Sequence, residues 1–252
     1  MKEHKKDQVE AGPRSCKKSG EIEMTSTIDD MSQRTVARMA GLLYLIYIVT
    51  FAFSSFVQSK PIAGGDAAVT ARNIMASVWL FRVGFMSEVV ACLFFLLAAW
   101  ALYVLLEPVS KNLALLFLLV NLAGVAIESI LTLIHFAALP LLSGADYLKV
   151  FKADQLQALA LFFLNLSGDG NMVTVLFYGV WLFPLGYLVV KSGFLPRILG
   201  ILLVLDGICL LICFFQLCLF PGHEKMTYPL YPVMFIAEFG FALWLLIKGV
   251  SA

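Results

Sequence analysis

NLALLFLLVNLAGVAIESILTLIHFAALPLL, residues 112–142, decides how the rest of the chain is read. The run holds no Lys or Arg, and no Pro before Pro140. Roughly 20 apolar residues suffice to carry a helix across a bilayer. Asn121, Glu128 and His135 recur every seven residues. Seven residues is close to two helical turns, so the three share a face, with Gly124 and Thr132 between them. A carboxyl and an imidazole in hydrocarbon cost free energy unless they meet partners. Where such partners lie is the question the sequence poses.

Composition agrees with a membrane protein. Of 252 residues, 61% are hydrophobic and 14% charged, and the mean hydropathy is +0.90. Soluble domains carry about 25% charged residues. The net charge of +1 conceals an uneven distribution, because the first 38 residues hold eight of the 18 Lys and Arg. Acids dilute that basic cluster and no nucleic-acid motif accompanies it, so no nucleic-acid partner is expected. The five cysteines (Cys16, Cys92, Cys209, Cys213 and Cys218) form no CxxC or metal-ligand pattern. They are read as small packing residues. No metal and no cofactor is expected.

In chain order, residues 1–33 are expected to be a disordered polar tail, with Met24 offering a second start. Asp29, Asp30 and Ser32 can cap the helix that follows. The leader is too long and polar for a signal peptide. Residues 34–252 are expected to form an all-α domain, a bundle of six transmembrane helices with short surface helices. The spans fall at about 39–57, 81–106, 113–139, 172–190, 197–220 and 229–247. Between spans one and two, Gly64, Gly65 and Asp66 form a turn and an N-cap for a short surface helix. Glu107 and Pro108 force a tight hairpin. Residues 141–166 are expected to be an amphipathic surface helix, broken by Ser167, Gly168, Asp169 and Gly170. Pro184 and Gly186 place a bend in span four, and Pro196 suits the first position of span five.

With the N-terminus inside, cytoplasmic segments hold twelve Lys and Arg against six on the other side. The positive-inside rule then places both termini in the cytoplasm, in the inner (plasma) membrane. Trp79 and Tyr147 fall near the outer interface, as aromatic anchors. A faint internal echo relates Tyr103 and the residues leading to Asn121 to Tyr187 and the residues leading to Asp206.

Five segments carry a family resemblance: GGDAAVTARNI (64–74), WLFRVGF (79–85), LEPVSKNLALL (106–116), GYLVVKSGFLPRILGILL (186–203) and ALWLLIKG (242–249). Together they resemble the bacterial membrane family called domain of unknown function 4386, over about residues 34–250. The resemblance implies a multi-span bacterial inner-membrane protein and brings no catalytic or binding residues with it.

Four acids lie in the expected spans: Glu88, Glu128, Asp206 and Glu238. Each would cost roughly 2.5–3.5 kcal/mol if charged near a helix centre. His135 is about 10 Å along its helix from Glu128, so compensation must come from other helices. The expected arrangement is a common centre for Glu88, Glu128 and Glu238, with His135 and Arg82 towards the outer opening. Asp206 approaches from below, on a face with Cys209, Cys213 and Gln216. Asn121, Tyr44, Tyr47 and Tyr178 supply hydrogen bonds. An excess of acid suits a small-molecule or cation ligand, or proton-linked transport. Two alternatives stand beside it: an accessory subunit whose acids only fix helix packing, and a membrane enzyme acting on lipid or prenyl substrates. No catalytic residues are assigned, since HExxH, GxSxG and phosphate-loop motifs are absent from the sequence. Haem through His135 and His223 is disfavoured, because one lies in a span and the other in a loop.

Overall fold

The computed structural model describes residues 33–220 and 222–250. The expected polar tail, the start at Met24, the caps at Asp29, Asp30 and Ser32, and Cys16 lie outside the described residues. Of the described residues, 86% are helical and none is in a strand. Six helices among them are long and apolar enough to cross a membrane, as expected. In chain order the helices are α1 (Gln33–Ser59), α2 (Ala67–Ala76), α3 (Val78–Leu106), α4 (Lys111–Phe136), α5 (Ala138–Leu142), α6 (Ala153–Ser192), α7 (Arg197–Leu219) and α8 (Tyr231–Ile247).

The spans pack in a ring. α1 lies on α3, α3 on α4, α4 on α6, α6 on α7, α7 on α8, and α8 returns to α1. A Cβ placed on Gly249 would lie 3.0 Å from the Arg34 side chain, so the first and last spans meet at one end of the bundle, the termini end. Large apolar side chains face outward, with Val49 63%, Leu133 63% and Phe235 59% exposed. A soluble protein would bury such residues. On spans of this length they are the surface that lipid covers.

Lipid tails are as apolar as leucine, so helix association in a bilayer relies on close van der Waals approach at small residues. Two glycine pairs supply it between α6 and α7. A Cβ on Gly186 would sit 2.7 Å from the Gly200 carbonyl oxygen, and one on Gly207 would sit 2.9 Å from that of Gly179. The hairpin joining these helices turns at Gly193, whose φ of +75° favours glycine. In the α3–α4 hairpin, Lys111 lies 2.8 Å from Glu107 and holds its carboxyl below the usual range.

The opposite, cap end carries a small core of its own. Ile74 of α2, Phe81 of α3, Ala138 and Leu139 of α5, and Ala160 and Leu164 of α6 pack together there. Asp66 Oδ1 accepts a hydrogen bond from the Val69 N–H at 2.9 Å, fixing the start of α2 as the Asp66 reading requires. Trp79 and Tyr147 are 77% and 72% exposed at this end, available to the interface.

Three local expectations are corrected. The run Ser167-Gly168-Asp169-Gly170 does not break the chain, since α6 continues through it for 40 residues, about 60 Å at 1.5 Å per residue. Ser167 Oγ donates to the Leu131 carbonyl at 2.9 Å, and Gly170 lies against the Leu131 side chain, where a Cβ would clash. Packing against α4 offsets the helix cost of two glycines, about 1 kcal/mol each. The amphipathic segment is therefore the first turns of a spanning helix. Its apolar face packs beneath α2 and α5. Span three is interrupted at Ala137, because the Pro140 ring would clash with the Phe136 carbonyl, four residues earlier, in a continuous helix. Pro196 caps α7 from outside, at φ −60° and ψ 127°.

Glycine substitutions separate these roles. Gly200→Ala, with no room for its methyl group, is expected to lower stability by about 1–3 kcal/mol. At Gly168 a Cβ meets nothing within 4 Å, and Gly168→Ala is expected to raise stability by about 0.5–1 kcal/mol. Thermal unfolding of both variants in detergent decides it. Destabilisation by Gly168→Ala would contradict the continuous helix.

Candidate functional site

The ring is filled differently at its two halves. Towards the termini end, Tyr44 of α1, Phe95 of α3, Phe117 of α4, Trp181 of α6 and Phe241 of α8 are fully buried. Their rings interlock. Phe95 meets Trp181 edge-on at 5.1 Å between centroids, Tyr44 stacks on Phe95 at 5.8 Å, and Phe117 meets Trp181 at 6.2 Å. Five helices thus contribute to one aromatic plug.

Towards the cap end the centre is polar and hollow. A cavity of about 300 Å³ is lined by Glu88, Glu128, Thr132, His135, Ser167 and Asn171. Ser55, Gln58 and Ser59 line the same space from the last turns of α1, placing its mouth at the cap end. A second cavity, of about 210 Å³, runs deeper and is lined by Glu128, Asp206 and Glu238 among mostly apolar side chains. Glu128, Asn171 and Phe51 border both, so the two spaces meet at Glu128.

Periodicity explains how Glu128 and His135 reach the interior. The seven-residue spacing turns both to the inside of the ring, and the Thr132 hydroxyl between them donates to the Glu128 carbonyl at 2.8 Å. Glu88 is delivered by α3, whose approach to α1 is fixed by two hydrogen bonds across the pair. Ser54 Oγ donates to the Gly84 carbonyl at 2.8 Å, and Ser87 Oγ to that of Thr50 at 2.9 Å. Gln58 donates to Ser54 Oγ. The Glu88 and Glu128 carboxyls lie near each other, Glu88 also near Ser54 and Glu128 near Thr174. Deeper in, Glu238 lies near Asp206 and Tyr44.

None of these acids forms an ion pair with a described residue. Among the described residues the ion pairs are Glu107 with Lys111 and Asp146 with Lys149, both at helix ends or loops. Asp206 is 0% exposed, and neither of its carboxyl oxygens has a hydrogen-bond partner. Glu128 Oε2, His135 Nε2 and Tyr44 Oη are also unpartnered. A buried acid in this position is costly unless something supplies the missing partner.

The sequence-derived residues divide into two groups. Glu88, Glu128 and His135 line the upper cavity, and Glu128, Asp206 and Glu238 the lower one. His135 stacks on Phe81 at 5.4 Å. Cys209, Cys213 and Gln216 are buried on the Asp206 face of α7. Arg82 is exposed and lines neither cavity, because it lies six residues from Glu88, about a third of a turn off its face. Asn121 is fully buried without a hydrogen-bond partner and also lines neither. Sequence reasoning missed Asn171, Ser54 and Gln58. Asn171 follows the Gly-rich run read as a break, so it was counted outside the spans.

No group of three or more His, Cys, Asp or Glu among the described residues is disposed to hold a metal ion.

Comparison with known proteins places the fold in a family. Residues 39–249 match the family described as Domain of unknown function (DUF4386). The chain belongs to the DUF4386 family. An uncharacterized protein of Archaeoglobus fulgidus is 32% identical to this DUF4386 protein over 151 residues, covering 60% of this chain and 74% of the relative. Relatives therefore extend beyond the bacteria that the sequence resemblance implied. No solved structure matches the chain. As a DUF4386 member the protein is an integral membrane protein, and its ring of six apolar helices is the scaffold on which the acids are arranged.

The one-ended opening is directly measurable. With all five cysteines replaced, single cysteines at Ser55 and Gln58 are expected to react with a water-soluble thiosulfonate at least tenfold faster than one at Tyr44. Equal rates at all three positions would remove the distinction between mouth and plug.

Proposed function

We propose that the protein is a binding or transport protein for a small cationic ligand, or for protons linked to such a ligand, using the acidic centre between its six helices. It sits in the plasma membrane with both termini cytoplasmic, so the polar mouth faces the outside. One observation carries the reading: Asp206 is fully buried beside a cavity, with neither carboxyl oxygen hydrogen-bonded or ion-paired. Proteins retain such groups where function requires them, at a cost in stability. An acid kept only as packing glue would be expected to hydrogen-bond a neighbouring helix, as Ser54 and Ser167 do. The twelve-to-six excess of basic residues on the termini side supports the orientation.

Two measurements test this. Asp206→Asn is expected to leave thermal stability unchanged or raise it by about 1 kcal/mol, because a buried unpaired acid is lost. A loss of more than about 1 kcal/mol would favour the accessory-subunit reading, in which the acid fixes packing. In parallel, a thermal-shift screen of inorganic and organic cations on purified protein is expected to give at least one stabilising compound whose effect disappears in Glu238→Gln. A screen without such a compound would defeat the binding reading.

A further inference from the structure

We infer that the lower cavity takes an organic ammonium, a positively charged nitrogen bearing apolar substituents, admitted from the bilayer between α1 and α8. The inference rests on the acidic-centre reading and names its ligand class. Three acids reach this cavity, and aromatic residues are the largest class in its wall: Tyr47, Phe51, Phe95, Tyr178, Phe235 and Phe239. Aromatic faces attract cations through the ring quadrupole, and quaternary ammonium groups are bound by such cages. A hard inorganic cation asks for something else, six to eight oxygen ligands at about 2.3–2.6 Å. No group of three or more His, Cys, Asp or Glu among the described residues is disposed to supply such a shell.

Size agrees. The cavity holds about 210 Å³, whereas about 150 Å³ of apolar cavity is enough for a benzene-sized molecule. A trimethylammonium head fits this space better than a bare ion does, because its methyl groups meet the rings while its charge remains within reach of Asp206 and Glu238.

The route follows from how α1 and α8 separate. At the termini end they touch closely, since a Cβ on Gly41 would lie 2.7 Å from the Ala242 carbonyl oxygen. Towards the cap end the cavity wall is made by Ile48 and Phe51 of α1 and by Met234, Phe235 and Phe239 of α8. Phe235 is 59% exposed on the outer surface and also lines the cavity. The rim facing lipid is therefore apolar, and the carboxyls lie behind it. An amphiphilic cation can leave its chain among lipid tails and place its head on the acids.

The test uses the full protein in nanodiscs and equilibrium dialysis with radiolabelled dodecyltrimethylammonium, with empty nanodiscs as the baseline. Saturable binding near one per protein is expected. Unlabelled dodecyltrimethylammonium should displace it at concentrations at least tenfold lower than tetramethylammonium, and dodecanol should not displace it. Glu238→Gln and Asp206→Asn are expected to weaken binding at least tenfold, and Phe235→Ala severalfold. If an acid variant does not fold, displacement from the wild-type protein and the Phe235→Ala variant decide the matter. Binding unchanged in the folded acid variants, or displacement by dodecanol, would overturn the inference as mere lipid partitioning. Stabilisation by sodium or potassium without dodecyltrimethylammonium binding would overturn it while leaving the acidic-centre reading intact. Absence of binding by any cation would remove both.

Discussion

A carboxyl group inside hydrocarbon sets the terms for this protein. It is tolerated only where other protein groups, water or a ligand surround it. Four such groups on four helices therefore require a bundle that surrounds them with protein. The ring meets that requirement by sequential packing, each span beside its neighbours and α8 back on α1.

Closure is achieved unevenly, and the unevenness has chemical consequences. Glycine lets backbones approach at Gly41 and Ala242, and at Gly186 and Gly200. These contacts lie in the termini half, where the aromatic plug also sits. The interior is polar at its cap-end mouth and acidic at depth. Its floor is a set of interlocking rings from five helices. Such a plug resists passage through the bundle unless several rings move together, which gives the site access from one side in the conformation seen.

Much of the architecture was legible because the bilayer imposes a length. Six apolar runs could be counted without knowing any contact, and six spanning helices are found. The inward turn of Glu128 and His135 was readable from a seven-residue period, which is a property of one helix alone. Which helices sit opposite each other is a property of packing, and the pattern of apolar residues does not encode it. Arg82 illustrates this. It was expected towards the outer opening of the centre, yet it is exposed and lines neither cavity. Ser167, Gly168, Asp169, Gly170 and Asn171 illustrate the converse. Turn-forming residues on an isolated segment become helix contacts when another helix, here α4 at Leu131, approaches closely. The aromatic wall was hidden for a simpler reason. Phenylalanine occurs 21 times, on lipid-facing and inward-facing positions alike, so no single Phe signals a cage.

The combination of acid and aromatic rings also bears on why the carboxyls are not paired with arginine or lysine. A permanent internal cation would satisfy Asp206 and Glu238 and stabilise the ring, because breaking a buried pair is far costlier than never forming one. It would also fill the cavity electrostatically and leave nothing for a ligand to neutralise. Among the described residues no Lys or Arg lines the lower cavity, and the acids there are surrounded by rings whose faces are weakly negative. Rings cannot neutralise a carboxylate, but they stabilise a cation placed between them and the acid. An interior built this way has little affinity for anions, and it gains most from an occupant that brings both positive charge and apolar surface. A buried acid without a partner costs stability at Asp206, and an occupant that supplied the missing positive charge would recover part of that cost there.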